Sequence, residues 1–482
     1  MNKYTKQKLD VVGGKKVPQR RPRYDRYHPL WHLQRIGMSP SFVPASGPQT
    51  RVALIDTGVT LNHPYLNGRL DLALSIDFGA MPYGLRYCDG QAHVCLEFDD
   101  DLLDQLSLRN SKGVIAAILT EAQGKTVTPA DRSTLQLRFS SHGTSVAGLI
   151  VGFPPIHGLD TDPRSFLYIG VDPQSSLISV ATSLDPSPRQ LILALLYAMQ
   201  NCADVIFIPR GISADWKTKP ATELPEEDRK AWQGLEDLLI AVSALVPVVC
   251  AAGNSGEDVL AYPAALSGAS DNNGIIAVGA ATYLSHRSSY SNYGAGLTLV
   301  APSDDAEVLN RNQVRLDKFS HRYRLHQYSA YEGRNEIPYS HQSILALDIP
   351  GRAGYAGGVQ TGLDEDDPVN EWFDPTRGAF ALFGGTSAAS AIVAGVAAQV
   401  VRKAKGIQGL QLDGPRIKEI LARTSVMEGP LEDGSKWVLL PDNINGNLAP
   451  DDPGNMRLLF GNGMVNLPAA LDAVERIPIS TA

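Results

Sequence analysis

Three short segments of this 482-residue chain each hold one part of a system for activating a serine hydroxyl. They are Val52-Ala-Leu-Ile-Asp56-Thr-Gly58, His142-Gly-Thr-Ser-Val-Ala-Gly148 and Gly384-Gly-Thr-Ser387-Ala-Ala. A fourth, Ala251-Ala-Gly-Asn254-Ser-Gly256, offers an amide donor between the second and third. A serine hydroxyl is a weak nucleophile until an imidazole takes its proton and a carboxylate fixes that imidazole in the useful tautomer. Ser387 is the candidate nucleophile, His142 the general base and Asp56 the carboxylate behind it. Asn254 is the candidate donor to the oxyanion, beside the backbone N–H of Ser387. Taken alone, each has a plainer reading: a helix cap for Ser387, a structural histidine, a turn-initiating Asp56 and a turn Asn254. Their joint presence in one order favours catalysis.

The elements around them fit that reading. Arg51–Ile55 is a short apolar run, expected as a buried strand that ends at Asp56. A helix is expected over His142–Val151 with His142 in its first turn, and strands over Tyr168–Val171 and Leu177–Ala181. Ser187–Asn201 carries apolar residues at helical spacing after a Ser-Pro start signal. Val205–Ile208 then reads as a strand, Trp232–Leu245 as a helix, and Val246–Cys250 and Ile275–Val278 as strands. Helices are expected at Ser387–Lys405 and Pro415–Arg423. Alternating strands and helices imply a mainly parallel sheet with helices on both faces, an α/β chain in three layers. Active sites in such sheets form at the carboxyl ends of strands, where Asp56 and Asn254 fall.

The four segments resemble those of subtilisin-like serine proteases (subtilases), in which acid, histidine and serine follow in this order. His63-Pro64, Gly170-Val-Asp-Pro173 and Gly461-Asn-Gly-Met-Val-Asn466 extend the likeness, which runs from about Val52 to Val474. It implies a serine endopeptidase working through an acyl-enzyme, with Arg210, Gly211, Gly253 and Thr386 near the bound substrate. Small residues around Ser387 suit close approach of a peptide backbone. Substrate is expected extended, as a strand beside Gly211.

Departures from the family pattern occur at Ser145, where the family usually has a second His, and at Ala388 and Ala391-Ile392, where it has Met and Pro-His. None removes a proton-transfer group. Pro209-Arg210-Gly211 replaces the family's Ser-Leu-Gly. Arg210 is expected either to favour acidic substrate groups or to point into solvent. Pro209 brings no N–H for pairing with a peptide. Two stretches, about 78–141 and 303–380, read as insertions into the peptidase domain of residues 51–482, and the first has a helical stretch near Val114–Ala122.

Residues 1–50 carry ten Lys or Arg against two Asp, a basic arm of net +8 ahead of a body of net −16. A solvated arm folding on the acidic body is favoured over a nucleic-acid arm, because no nucleic-acid fold signature is present. The resemblance adds a role for Lys15–Arg35, that of a reduced prodomain controlling the cleft. Cys202 and Cys250 are expected as core thiols. Cys88, His93 and Cys95 lack metal-ligand spacing, so no metal is assigned. No cofactor is expected. Calcium, which many subtilases bind, is left open, since Asp99–Asp101 and Asp364–Asp367 show no ligand spacing. Few cysteines and no visible leader suggest the cytoplasm, or secretion if a leader has been trimmed. Phe380–Val401 has 22 residues without a charge, yet its hydroxyls and small residues read as a buried helix, not a membrane span. The expected partner is a protein or peptide substrate. The alternative is a latent protease-fold regulator switched on by a protein partner.

Overall fold

The computed structural model describes residues 30–38, 47–79, 85–86, 94–127, 134–154, 168–304, 343–349, 354–355, 379–440 and 453–478, apart from a few isolated positions within them. Among these residues the strands are β1 (Arg51–Asp56), β2 (Ile76–Asp77), β3 (Leu85–Arg86), β4 (Val94–Cys95), β5 (Thr126–Val127), β6 (Ser176–Ala181), β7 (Val205–Ile208), β8 (Val248–Ala251), β9 (Ile275–Ala281) and β10 (Leu299–Pro302). They are followed by β11 (Ile344–Leu347), β12 (Phe380–Phe383), β13 (Glu428–Pro430) and β14 (Lys436–Val438). The helices are α1 (Trp31–Arg35), α2 (Lys112–Ala122), α3 (Thr134–Val151), α4 (Pro188–Gln200), α5 (Glu226–Ser243), α6 (Gly385–Lys405), α7 (Gly414–Thr424), α8 (Pro453–Phe460) and α9 (Leu467–Glu475).

The central sheet has the order β10-β9-β8-β7-β1-β6-β2-β3, and every pair is parallel except β2 with β3. Parallel strands must be covered on both faces, and β1 shows how. Ala53 and Ile55 join one buried cluster with residues of α2, α4 and α5. Val52 and Leu54 join another with residues of α3, α6 and α9. The period of two thus divides the molecule into three layers. Helix α6 lies in the second cluster and is buried along nearly its whole length, so its run of Ala and Val is a core run. Among the described residues no helix is long and apolar enough to cross a membrane.

Several expected elements differ in detail. Tyr168–Val171 is not a strand. The N–H groups of Gly170, Val171 and Asp172 instead donate to the carbonyls of Gly152, Leu149 and Ile150, closing the end of α3, whose last carbonyls have no partner within the helix. Helix α3 starts at Thr134, so His142 lies in its interior and not in its first turn. Helix α5 starts at Glu226, ahead of the expected Trp232, with Glu226, Glu227 and Asp228 in its first turn where the helix dipole favours them. Phe380–Phe383 forms a strand paired antiparallel with β11, and only from Gly385 does the charge-free run become a helix. Cys202 is exposed, in a left-handed turn (φ 53°) after α4, whereas Cys250 is buried in β8.

The basic arm is described only at residues 30–38 and 47–50. Leu30, Trp31, Leu33, Ile36 and Met38 are buried in the same cluster as α3 and α6, and the Ile36 carbonyl accepts from Leu467 N. Arg35 lies against the rings of Trp31, Tyr283 and Trp437 and donates to Ser285 Oγ and the Tyr283 carbonyl. Within the first insertion, α2 packs on α4 and α5. Cys88, His93 and Asp364–Asp367 lie outside the described residues.

Candidate active site

Asp56 is the last residue of β1, and its Oδ1 accepts the N–H of Thr57 at 2.7 Å. That bond turns the carboxylate back over the strand end. Helix α3 then approaches closely because residue 143 is glycine: a Cβ there would overlap the Gly58 carbonyl. The next two residues lock the helix in place. Thr144 Oγ1 accepts the N–H of Thr60 at 2.9 Å, and Ser145 Oγ donates to the Leu347 carbonyl at 2.7 Å. Ser145, where the family usually has His, thus ties the histidine helix to β11.

His142 Nδ1 is 2.6 Å from Asp56 Oδ2, and its Nε2 is 3.0 Å from Ser387 Oγ. An ionised carboxylate can only accept, so Nδ1 carries hydrogen and Nε2 is the lone pair facing the serine. Burial alone raises the Asp56 carboxyl; the His142 charge and hydrogen bond, Arg210 and the Thr57 amide more than offset it, and it ends below its ordinary value. Phe383 packs edge-on against the imidazole, with ring centroids 5.5 Å apart.

Ser387 is the third residue of α6 and is 6 % exposed. Its hydroxyl has one hydrogen and two acceptors, His142 Nε2 and the Pro209 carbonyl at 2.7 Å. Thr386 N–H and Oγ–H both donate to Asn254 Oδ1, at 2.8 and 2.9 Å, and Thr386 Oγ1 accepts from Gly253 N at 3.2 Å. Only an oxygen can take the backbone N–H, so the orientation of the Asn254 amide is fixed and its NH2 is directed away from Thr386. Gly253 has φ +111°, and a Cβ there would lie 2.7 Å from Asn292 Nδ2. Gly211 faces Ala261: a Cβ on it would lie 3.0 Å from the alanine methyl.

Arg210 does not point freely into solvent. Its guanidinium reaches past the end of β1 to the loop after β6, donating to Thr182 Oγ1 and to the carbonyls of Ser183 and Leu184, at 2.9 and 3.3 Å. Its Nε is buried without a hydrogen-bond partner. Burial lowers its pKa, while Asp56 and Asp185 raise it. The site therefore unites Asp56, His142, Ser387, Asn254, Thr386 and Gly253, with Gly211 beside them. The Arg210 side chain is spent on the protein's own chain. Sequence reasoning missed the Pro209 carbonyl and the pair Tyr290 and Asp304 behind α6; a carbonyl has no signature in a sequence, and Tyr290 and Asp304 lie in no motif. Among the described residues no three His, Cys, Asp or Glu side chains converge on a metal position.

A three-layer α/β frame with Asp56, His142 and Ser387 in hydrogen-bond series at the carboxyl edge of its parallel sheet defines the class. The chain belongs to the subtilase family, whose sequence profile matches residues 47–463. An intracellular serine protease of Paenibacillus polymyxa is 29% identical over 175 residues, 35% of this chain and 44% of that protein. Subtilisin BL of Lederbergia lenta is 30% identical over 184 residues, 37% of this chain and 56% of that protein. The chain thus spans about half the length of these curated relatives. Among solved structures, the epidermin leader peptide processing serine protease of Staphylococcus aureus superposes with a TM-score of 0.52 at 17% identity, over 93% of this chain and 82% of that one. That likeness establishes the fold.

Proposed function

We propose that this protein is a serine endopeptidase that hydrolyses peptide bonds through an acyl-enzyme. The observation that carries the reading is the unbroken series Asp56 Oδ2, His142 Nδ1, His142 Nε2 and Ser387 Oγ, at 2.6 and 3.0 Å. In this reading the Ser387 hydrogen swings from the Pro209 carbonyl to Nε2 as Oγ attacks the scissile carbonyl carbon. His142 holds that proton and delivers it to the leaving amine, and Asp56 stabilises the imidazolium formed between. The Ser387 N–H and the Asn254 NH2 donate to the oxyanion, near the positive end of the α6 dipole. Water, activated by the same imidazole, then releases the acid product and restores Ser387.

The substrate is an extended peptide running beside Pro209–Gly211 and Gly253. Arg210 braces the loop of Thr182–Leu184 along that path instead of contacting the peptide. Cytoplasmic action belongs to the same reading, since Cys202 and Cys250 are free thiols. The test is turnover of an unfolded protein substrate, with the cut peptides identified by mass spectrometry. Cleavage by the parent chain and none by Ser387→Ala supports the reading. Cleavage retained in Ser387→Ala refutes it. Cleavage that appears only after addition of cell extract supports the latent, partner-activated alternative in its place.

A further inference from the structure

At the Gly384–Gly385 turn that opens α6, ahead of the nucleophile, lies a buried polar ring that the proposed reaction does not use. Tyr290 OH donates to Asp304 Oδ1 and accepts the N–H of Gly385 at 2.9 Å; the same N–H is 3.0 Å from Asp304 Oδ1. Ser303 Oγ lies 3.0 Å from Tyr290 OH and donates to the Gly385 carbonyl at 2.8 Å. Ser288 Oγ donates to the Asp304 carbonyl at 2.5 Å. Tyr290 and Asp304 are each 7 % exposed and Ser303 is fully buried. The chain enters α6 through Gly384 and Gly385: Gly385 is left-handed (φ +76°), and a Cβ on Gly384 would overlap the Asp304 carboxylate. The turn is thus folded directly onto that side chain.

We propose that Tyr290 and Asp304, with Ser303, are positioning residues that hold the turn before Ser387 so that its hydroxyl meets His142. A carboxylate at a helix N-terminus stabilises the helix by itself, which would make Asp304 a cap and nothing more. Two features go beyond a cap. The peptide plane of residues 384–385 is gripped through the Gly385 N–H. The next plane, 385–386, is gripped at both edges, by Ser303 on the Gly385 carbonyl and by Asn254 on the Thr386 N–H. The planes that lead into Ser387 are therefore clamped by Tyr290 from the β9–β10 connection, by Ser303 and Asp304 just after β10, and by Asn254 after β8. Burial and the Asp304 charge hold the Tyr290 phenol well above its ordinary pKa, so it stays a hydrogen donor at neutral pH. A shift of about 1 Å in a reacting group costs about a hundredfold in rate, so the clamp acts on catalysis without touching substrate.

This inference rests on Ser387 being the nucleophile, and its test separates the two. The second-order rate of labelling by a fluorophosphonate probe is measured for Asp304→Ala, Tyr290→Phe and Asp304→Asn, with hydrogen exchange of the peptide spanning Gly384–Ala389. Asp304→Ala is expected to label at least about tenfold more slowly and to exchange faster in that peptide. Tyr290→Phe moves both in the same direction by less, and carries the test if Asp304→Ala does not fold. Asp304→Asn, which keeps an acceptor for the Gly385 N–H, recovers a rate within about threefold of the parent. The control is Asp172→Asn, which weakens the buried Arg402 pair near the other end of α6, about 22 Å along the helix from Ser387. It lowers stability and leaves labelling of the folded protein unchanged. Labelling and exchange unaltered in Asp304→Ala, or labelling slowed equally in Asp172→Asn, overturns the inference. A parent chain that never labels removes the nucleophile assignment alone, and the exchange measurement still decides whether the clamp exists.

Discussion

At the site, the side chains are aimed by residues that flank the catalytic candidates in sequence. Gly143, Thr144 and Ser145 bind the histidine helix to the Asp56 turn and to β11, while Thr386 turns the Asn254 amide. Two predictions belong to single residues. Ser387→Ala should lower peptide turnover by about six orders of magnitude, the loss that follows when subtilisin loses its serine. Asn254→Leu should lower kcat by about 10²–10³-fold with KM changed far less, because the NH2 acts on charge that develops only in the transition state. Steady-state kinetics with a chromogenic peptide anilide checks both. The convergence of Asp56, His142, Ser387 and Asn254 was legible in the sequence because short glycine-flanked motifs encode strand-to-turn and loop-to-helix geometry locally. The partners of Arg210 at Thr182–Leu184 were not legible, since they are brought near by sheet order, to which no local pattern points.

Among the elements, β1, β6, β7, β8 and β9 were read with ends within three residues, because buried parallel strands are short continuous apolar runs, whereas β2, β3 and β10 were not read as strands. Tyr168–Val171 has the same composition but caps α3, and periodicity cannot distinguish those uses. The segment around α1 was read as a basic arm. Its charge count hid the apolar face of Trp31, Leu33 and Ile36, which is packed into the core. Trp31→Ala should therefore destabilise the protein by about 3–5 kcal/mol in denaturant titration, as removal of a buried Trp does. A loss within experimental error would show that α1 only rests on the surface. Deleting residues 1–40 should likewise lower the melting temperature, a stability role distinct from access control.

For the whole molecule, stability is tied to pH through His63, which joins the turn after Asp56 to the end of the second insertion. His63 Nε2 is 3.1 Å from the Ala379 carbonyl, and Nδ1 accepts the N–H of Tyr65 at 3.2 Å. Burial lowers its pKa to about 4, against smaller opposite effects of the Ala379 and Asp348 backbones. The folded state therefore binds a proton less readily than the unfolded chain, whose histidine titrates near 6.5. Stability from this group is present above about pH 6.5 and is lost as pH falls toward 4, by about 3 kcal/mol over the window. His63→Gln should flatten that part of the profile of unfolding free energy against pH. An unchanged slope would assign the acid sensitivity to other groups.

The most direct measurement of the central claim, that Asp56, His142 and Ser387 act as one relay, is the stoichiometry and position of fluorophosphonate labelling on the purified chain. One label per molecule on Ser387, abolished in His142→Ala and greatly slowed in Asp56→Asn, is the predicted result. Label on another serine, or undiminished labelling of Ser387 without His142, would contradict it.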